Sequence, residues 1–124
     1  MSEQITTTDG PDVSFPADAS LTKADHDALV SLTADGKAKR AASTVAIGTL
    51  RQIDPDTGVA RVRLLRAGGT VRGLAGAAIA AGAAVFATAT GTLTGTAGSA
   101  ELATRIGVKV TPGTCAAGDV IEFI

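Results

Sequence analysis

The sequence predicts a mainly β protein. The expected form is a compact small β-barrel or sandwich of short antiparallel strands, built from two related hairpin-containing halves behind an extended N-terminal arm. Three observations predict it. Apolar residues from Ala28 onward alternate with a period of two, as in strands with one buried face. Short runs are separated by turns carrying Gly, Pro or Asp. One order of turns and strands occurs twice. With 124 residues a single domain is expected, over 21–124, preceded by an arm over 1–20.

The arm is rich in Thr, Ser, Asp, Gly and Pro and has no helical period. Val13 and Phe15 alternate between Gly10-Pro11 and Pro16, which reads as a short extended piece. Terminal segments of this kind order only when tied down, and Ile5, Val13 and Phe15 are the residues able to do so. Thr22 with Asp25 forms a capping-box pair, so a helix over 23–32 competes with a hairpin. The hairpin is preferred, leaving at most a helical turn at 22–27. Asp35-Gly36 between two short runs is the hairpin signal, because the turn needs residues that tolerate positive φ. Residues 44–53 read as the next strand and 54–58 (DPDTG) as a turn. Residues 59–65 return, with Val59, Arg61, Arg63 and Leu65 on one face and Ala60, Val62 and Leu64 on the other. Gly68-Gly69 breaks this strand before another at 70–74.

The repeat aligns Gly36 with Gly91, so that 30–36 falls on 85–91. After a four-residue insertion, Ala46-Ile47-Gly48 falls on Arg105-Ile106-Gly107. Each copy then has a turn and a last strand, 59–65 or 120–124. A shorter echo sets 80–85 against 116–121, each an Ala-Ala-Gly turn that launches a strand. Eight to ten short strands are expected.

Composition bounds the function. Of the 56 hydrophobic residues, 25 are Ala. A buried methylene contributes only about 0.8 kcal/mol, so the core is expected to be thin and to lean on a further copy of the chain. One Cys excludes an intrachain disulfide or a cysteine-ligated zinc site, and one His excludes a multi-histidine site. His26 between Asp25 and Asp27 has no nucleophile set against it, and Cys115 in a turn has only Lys109 nearby as a base. Asp54-Pro55-Asp56-Thr57-Gly58 imitates the start of a calcium loop but lacks its later oxygens. Gly91, Gly95 and Gly98 fit no phosphate-loop spacing. No enzyme, metal or cofactor is expected.

Charge divides the chain into an acidic segment, 1–27, a basic one, 28–72, and a nearly neutral remainder. The acids are therefore expected to meet the bases, within a subunit or between neighbours. Arg61, Arg63, Arg66 and Arg72 group with Lys37, Lys39 and Arg40. Three Phe and no Trp or Tyr supply little for base stacking, so these bases are expected to face an acidic protein surface rather than nucleic acid. Residues 73–100 are uncharged, yet mostly Ala, Gly, Thr and Ser, which is not the apolar run of a membrane span. Residues 1–16 carry three acids and no base, the reverse of a signal peptide's start.

Residues 28–41 (ALVSLTADGKAKRA), 46–50 (AIGTL), 76–87 (GAAIAAGAAVFA), 105–108 (RIGV) and 116–124 (AAGDVIEFI), in that order, resemble the capsid cement or head decoration proteins of phages. The resemblance covers roughly 28–124; the arm and the 99–103 insertion depart from it. It implies a non-enzymatic virion protein, made in the host cytoplasm, that sits on the outer surface of the head and clamps the major capsid protein lattice. It also implies a homo-oligomer, with a trimer favoured. Ile5, Val13, Phe15, Arg61 and Arg63 are the expected capsid- or neighbour-contacting residues, and the arm is expected to add as a strand to a neighbour's sheet. The rival readings are a tail, fibre or spike β-domain of a phage, and a surface or secreted bacterial β-domain.

Overall fold

The structure, a computed structural model, describes residues 12–42, 46–65, 69–96 and 105–124. It is mainly β, with antiparallel pairing between its strands. Its strands are β1 (Asp12–Pro16), β2 (Leu29–Leu32), β3 (Ala38–Arg40), β4 (Gly48–Asp54), β5 (Val59–Leu64), β6 (Val71–Leu74), β7 (Ala84–Ala87), β8 (Leu93–Thr94), β9 (Arg105–Val108) and β10 (Val120–Phe123). A 3-10 turn, Lys23–Asp25, sits where the capping box predicts it. Thr22 Oγ1 accepts from the Ala24 amide and Asp25 Oδ2 from the Thr22 amide, satisfying donors that the turn leaves open. Among the described residues no helix is long and apolar enough to cross a membrane.

The first half is a sheet in the order β1-β5-β4-β2-β3. Its two edges meet at one point, where Ala17 bridges Ala38 in parallel. The second half repeats this order as β6-β10-β9-β7-β8. Here β10 reaches β9 through the Lys109–Phe123 bridge and paired amide bonds between Val108 and Ile124. The edges again meet through a parallel bridge, Ala75 to Leu93. Each half is thus a curled five-strand unit, short of a closed barrel.

The repeat extends to single hydrogen bonds. Ala17 N–H donates to Gly58 O at 2.7 Å, and Ala75 N–H to Asp119 O at 2.8 Å. Asp27 N–H donates to Leu50 O, and Gly82 N–H to Lys109 O, both at 2.9 Å. Thr33 N–H closes its hairpin on Lys37 O at 2.8 Å, and Thr88 N–H on Thr92 O at 3.0 Å. Gly36 and Gly91 both have φ of +78°, the left-handed region that these hairpin loops require. Gly48 and Gly107 also correspond. A Cβ at either would overlap the backbone of the last strand of its half, at Arg63 or Ile124. These four glycines carry the alignment seen in the sequence. The Ala-Ala-Gly echo is local: Gly82 and Gly118 both take positive φ ahead of β7 and β10.

The sequence repeat omitted one strand per copy. β1 corresponds to β6: Val13 faces Val62 as Val71 faces Phe123. Residues 12–16 therefore belong to the chain's own sheet, as its edge strand beside β5, and the domain begins earlier than residue 21. The cause is apolar anchoring: Phe15 and Ala17 pack on the first core cluster. Residues 1–11, including Ile5, lie outside the described residues.

Among the described residues the core has two clusters. One lies within the first half, around Leu21, Val30, Leu50, Ala60 and Val62. The other fills the second half but includes Leu29 and Ala41 of the first. Among the described residues six of the seventeen buried apolar residues are Ala, which makes each cluster thin.

Candidate interaction surface

Residues of the β1–β5 ribbon and β4 build the surface the sequence singled out. Pairing places Ser14 beside Arg61 and Asp12 beside Arg63. Arg61 is exposed and its Nη2 lies 3.9 Å from Asp12 Oδ2. Val13 and Phe15 are half-buried, and Phe15 packs inward. The ribbon thus brings four of the five expected contact residues together. Only Arg61 keeps its charged head in solvent.

Arg63 is a correction. It is 1% exposed, so it faces its own chain and not a partner. Along β5 the alternation predicts an outward face at 59, 61, 63 and 65. The second half covers the far end of that face, where Arg63 Nη2 donates to Thr70 O at 2.8 Å and Leu65 joins the second cluster. Arg66 lies outside the described residues.

The expected meeting of acidic and basic segments occurs within the subunit. Arg40 pairs with Asp25 at 3.2 Å, Arg61 with Asp12 and Arg72 with Asp27 at 3.9 Å. In each pair the acid comes from 1–27 and the base from 28–72. In each pair the arginine is the more exposed partner and the acid is largely covered, with Asp27 buried.

Two adjoining grooves line the outer side of β4. The larger, about 570 Å³, is lined by Lys23, His26, Arg51, Gln52, Asp54 and neighbours. The smaller, about 330 Å³, shares Gln52 and Asp54 and adds Ser14, Thr57, Val59 and Arg61. Together they present Lys23, Arg51 and Arg61 around a floor of mixed character, where Gln52 and Asp54 lie beside Leu50, Ile53 and Val59. A β-bulge at Arg51 interrupts the β4–β5 register here, re-aiming side chains at the grooves. Asp54 is occupied locally: Asp56 N–H donates to its Oδ1 at 2.9 Å. That bond holds the Asp54 carboxyl below its ordinary range. Asp18 is lowered likewise, first by the Ser20 hydroxyl and then by the Ser20 amide. The calcium-like run is therefore a turn whose first carboxylate binds its own backbone.

His26 is half-exposed, with Nδ1 2.9 Å from Asp27 Oδ2. Cys115 Sγ lies 3.6 Å from Ala77 O and packs against the second cluster. Among the described residues no group of three His, Cys, Asp or Glu is placed to hold a metal.

Sequence reasoning missed three buried polar residues, Lys109, Asp27 and Thr49. Lys109, 2% exposed, donates from Nζ to Thr111 O and Gly113 O, both at 2.7 Å. It occupies the place of Leu50, and its position in a strand-ending Val-Lys-Val run is the only local signal. Asp27, 3% exposed, takes φ of +66° where its counterpart is Gly82. Asp tolerates this conformation better than most residues. The chain matches no protein-family model and no curated protein.

Proposed function

We propose that the chain is a non-enzymatic structural protein of a phage head. In this reading it binds the outer surface of the shell and stabilises the lattice of the major capsid protein. One observation carries the reading. The runs that resemble cement proteins fall, in order, on the devices that build both halves. These are the Asp35-Gly36 hairpin, the close glycines Gly48 and Gly107, and the turns at Gly82 and Gly118. The body is short-strand β with tight turns, which suits a rigid clamp. Its grooves along β4 offer Lys23, Arg51 and Arg61 to an acidic protein surface. Repeated placement on a symmetric shell multiplies a small contact energy, because linked copies bind at high effective concentration.

The test is co-sedimentation of the full chain with phage heads that lack it, before and after shell expansion. Saturable binding to expanded heads, weakened in Arg51→Glu with Arg61→Glu, is the expected result. Absence of binding to heads together with binding to tails overturns the reading in favour of a tail, fibre or spike domain.

A further inference from the structure

The face that carries the two grooves differs in chemistry between the halves. Arg51 follows Leu50 in the first half, while Val110 follows Lys109, the counterpart of Leu50, in the second. Arg61 holds the place of Glu122, since Val62 faces Val13 as Phe123 faces Val71. His26 precedes Asp27 as Ala81 precedes Gly82. Three basic or titratable residues of the first half thus correspond to Val, Glu and Ala. Both halves share one strand order, so the fold does not require these side chains. They converge instead on the adjoining grooves, which share Gln52 and Asp54 and run from Lys23 and His26 to Arg61.

A buried acid fixes His26 at that channel. His26 Nδ1 lies 2.9 Å from Asp27 Oδ2, and the two side chains are 53% and 4% exposed. An ionised carboxylate only accepts, so Nδ1 carries the hydrogen and a neutral ring keeps its lone pair on Nε2. Nε2 is the nitrogen left for a ligand in the groove that the ring lines. Protonation turns that acceptor into a second donor, and histidine is the side chain that makes this change between about pH 8 and 5. Neutral His26 offers a lone pair to an acidic ligand, whereas charged His26 donates to it.

The groups around the ring come from three elements. Lys23 of the same turn and Arg51 and Asp54 of β4 line the groove with it. Arg72 of β6 places Nη2 3.9 Å from Asp27 Oδ2. Asp25 is engaged by Arg40 and by the Thr22 amide. Asp27 is itself retained where glycine serves the other half. It is 3% exposed, its Oδ1 has no hydrogen-bond partner among the described residues, and its φ is +66°. Backbone strain kept beside a groove points to a use.

We propose that the two grooves form one channel for an extended acidic segment of the partner protein, and that protonation of His26 strengthens its hold. A concave channel admits a single extended chain. Carboxylates of the segment meet Lys23, His26, Arg51 and Arg61, and its apolar side chains meet Ile53 and Val59 on the floor. The proposal rests on the reading of these grooves as the face turned to an acidic partner, and it is tested without heads.

The test is fluorescence anisotropy of a rhodamine-labelled peptide of alternating Glu and Val, titrated with the full chain at about pH 8 and about pH 5.5. The peptide's carboxylates stay largely ionised over that range. Binding is expected to tighten about fivefold at the lower pH, the upper size of one partly exposed charge pair. His26→Gln is expected to bind weakly and equally at both values, and His26→Lys tightly and equally at both. Arg51→Glu with Arg61→Glu is expected to lose binding at either value. Urea titration shows which variants are folded; should His26→Gln fail to fold, His26→Lys decides alone. No peptide binding, equal native affinity at both values, a response that survives loss of the imidazole, or tighter binding of a mixed-sequence oligonucleotide than of the peptide overturns the proposal. A chain that binds heads but not the peptide removes this inference and leaves the capsid reading intact. A pH-responsive peptide complex without binding to heads does the reverse.

Discussion

Leu29 and Ala84 hold the same place in the two halves, at the start of the strand that leads into each hairpin. Leu29 is sealed and Ala84 is half-open. The same contrast separates Thr49 from Val108 and Arg63 from Ile124. Topology, turn glycines and backbone bonding agree between the halves, so the difference comes from what lies over each one. The first half is covered by the second, and its covered face holds Arg63, whose Nη2 donates to Thr70 O. Burial in this protein is therefore set by position along a row of repeats as well as by strand alternation.

The comparison can be broken most sharply at the covered face. Leu29→Ala removes a side chain shared by the two halves and is expected to cost about 2–5 kcal/mol, the range for a buried leucine truncated to alanine. Leu32→Ala on the same strand, at an exposed site, is expected to change stability by no more than about 0.5 kcal/mol. Urea unfolding of the dilute proteins measures both. Equal losses would mean that the second half does not cover the first as described.

The paired close glycines sharpen it next. Gly48→Ala and Gly107→Ala each force a Cβ onto the neighbouring strand's backbone, at about 1–3 kcal/mol for overpacking. Gly48→Ala is expected to be the worse, because Arg63 is held beneath the second half while Ile124 is exposed. The order of urea midpoints decides. A smaller effect is expected at Gly82, where φ is +80° and a Cβ would meet nothing within 4 Å. Gly82→Ala then pays only backbone strain, about 1 kcal/mol. Gly82→Asp is expected to lose less, since Asp27 holds the same turn in the first half.

The smallest effect belongs to the exposed turns. Asp18 and Asp54 have carboxyls lowered from an ordinary 3.8 by hydrogen bonds to their charged forms. Their contribution is present above that value and is lost as pH falls through the lower folded values. Acid unfolding below about pH 4 is therefore expected to lose part of its slope in Asp18→Asn with Asp54→Asn, followed by circular dichroism.

Much of this fold was legible because its turns need particular letters. Gly36 and Gly91 need positive φ, Gly48 and Gly107 need the absence of a Cβ, and Thr22 with Asp25 caps a turn. Those constraints are local, and they revealed the repeat and its hairpins. β1 was read as arm because its polar flanks hide a pairing with β5 that lies some forty-odd residues away in sequence. Arg63 was read as surface because period two separates the faces of a strand but does not say what covers each face. Of the expected contact residues, Arg61 lies on an open groove and Phe15 serves the core. A groove along β4 needs the bulge at Arg51 and the turn at Lys23 brought together, which no local pattern contains.

Electron cryo-microscopy of heads to which the full chain has been restored decides whether the protein binds the shell. Density is expected on the outside of the expanded shell, with two similar β units per chain and the β4 grooves turned toward the major capsid protein. Density confined to the tail, or shells without added density at saturating protein, would contradict shell binding.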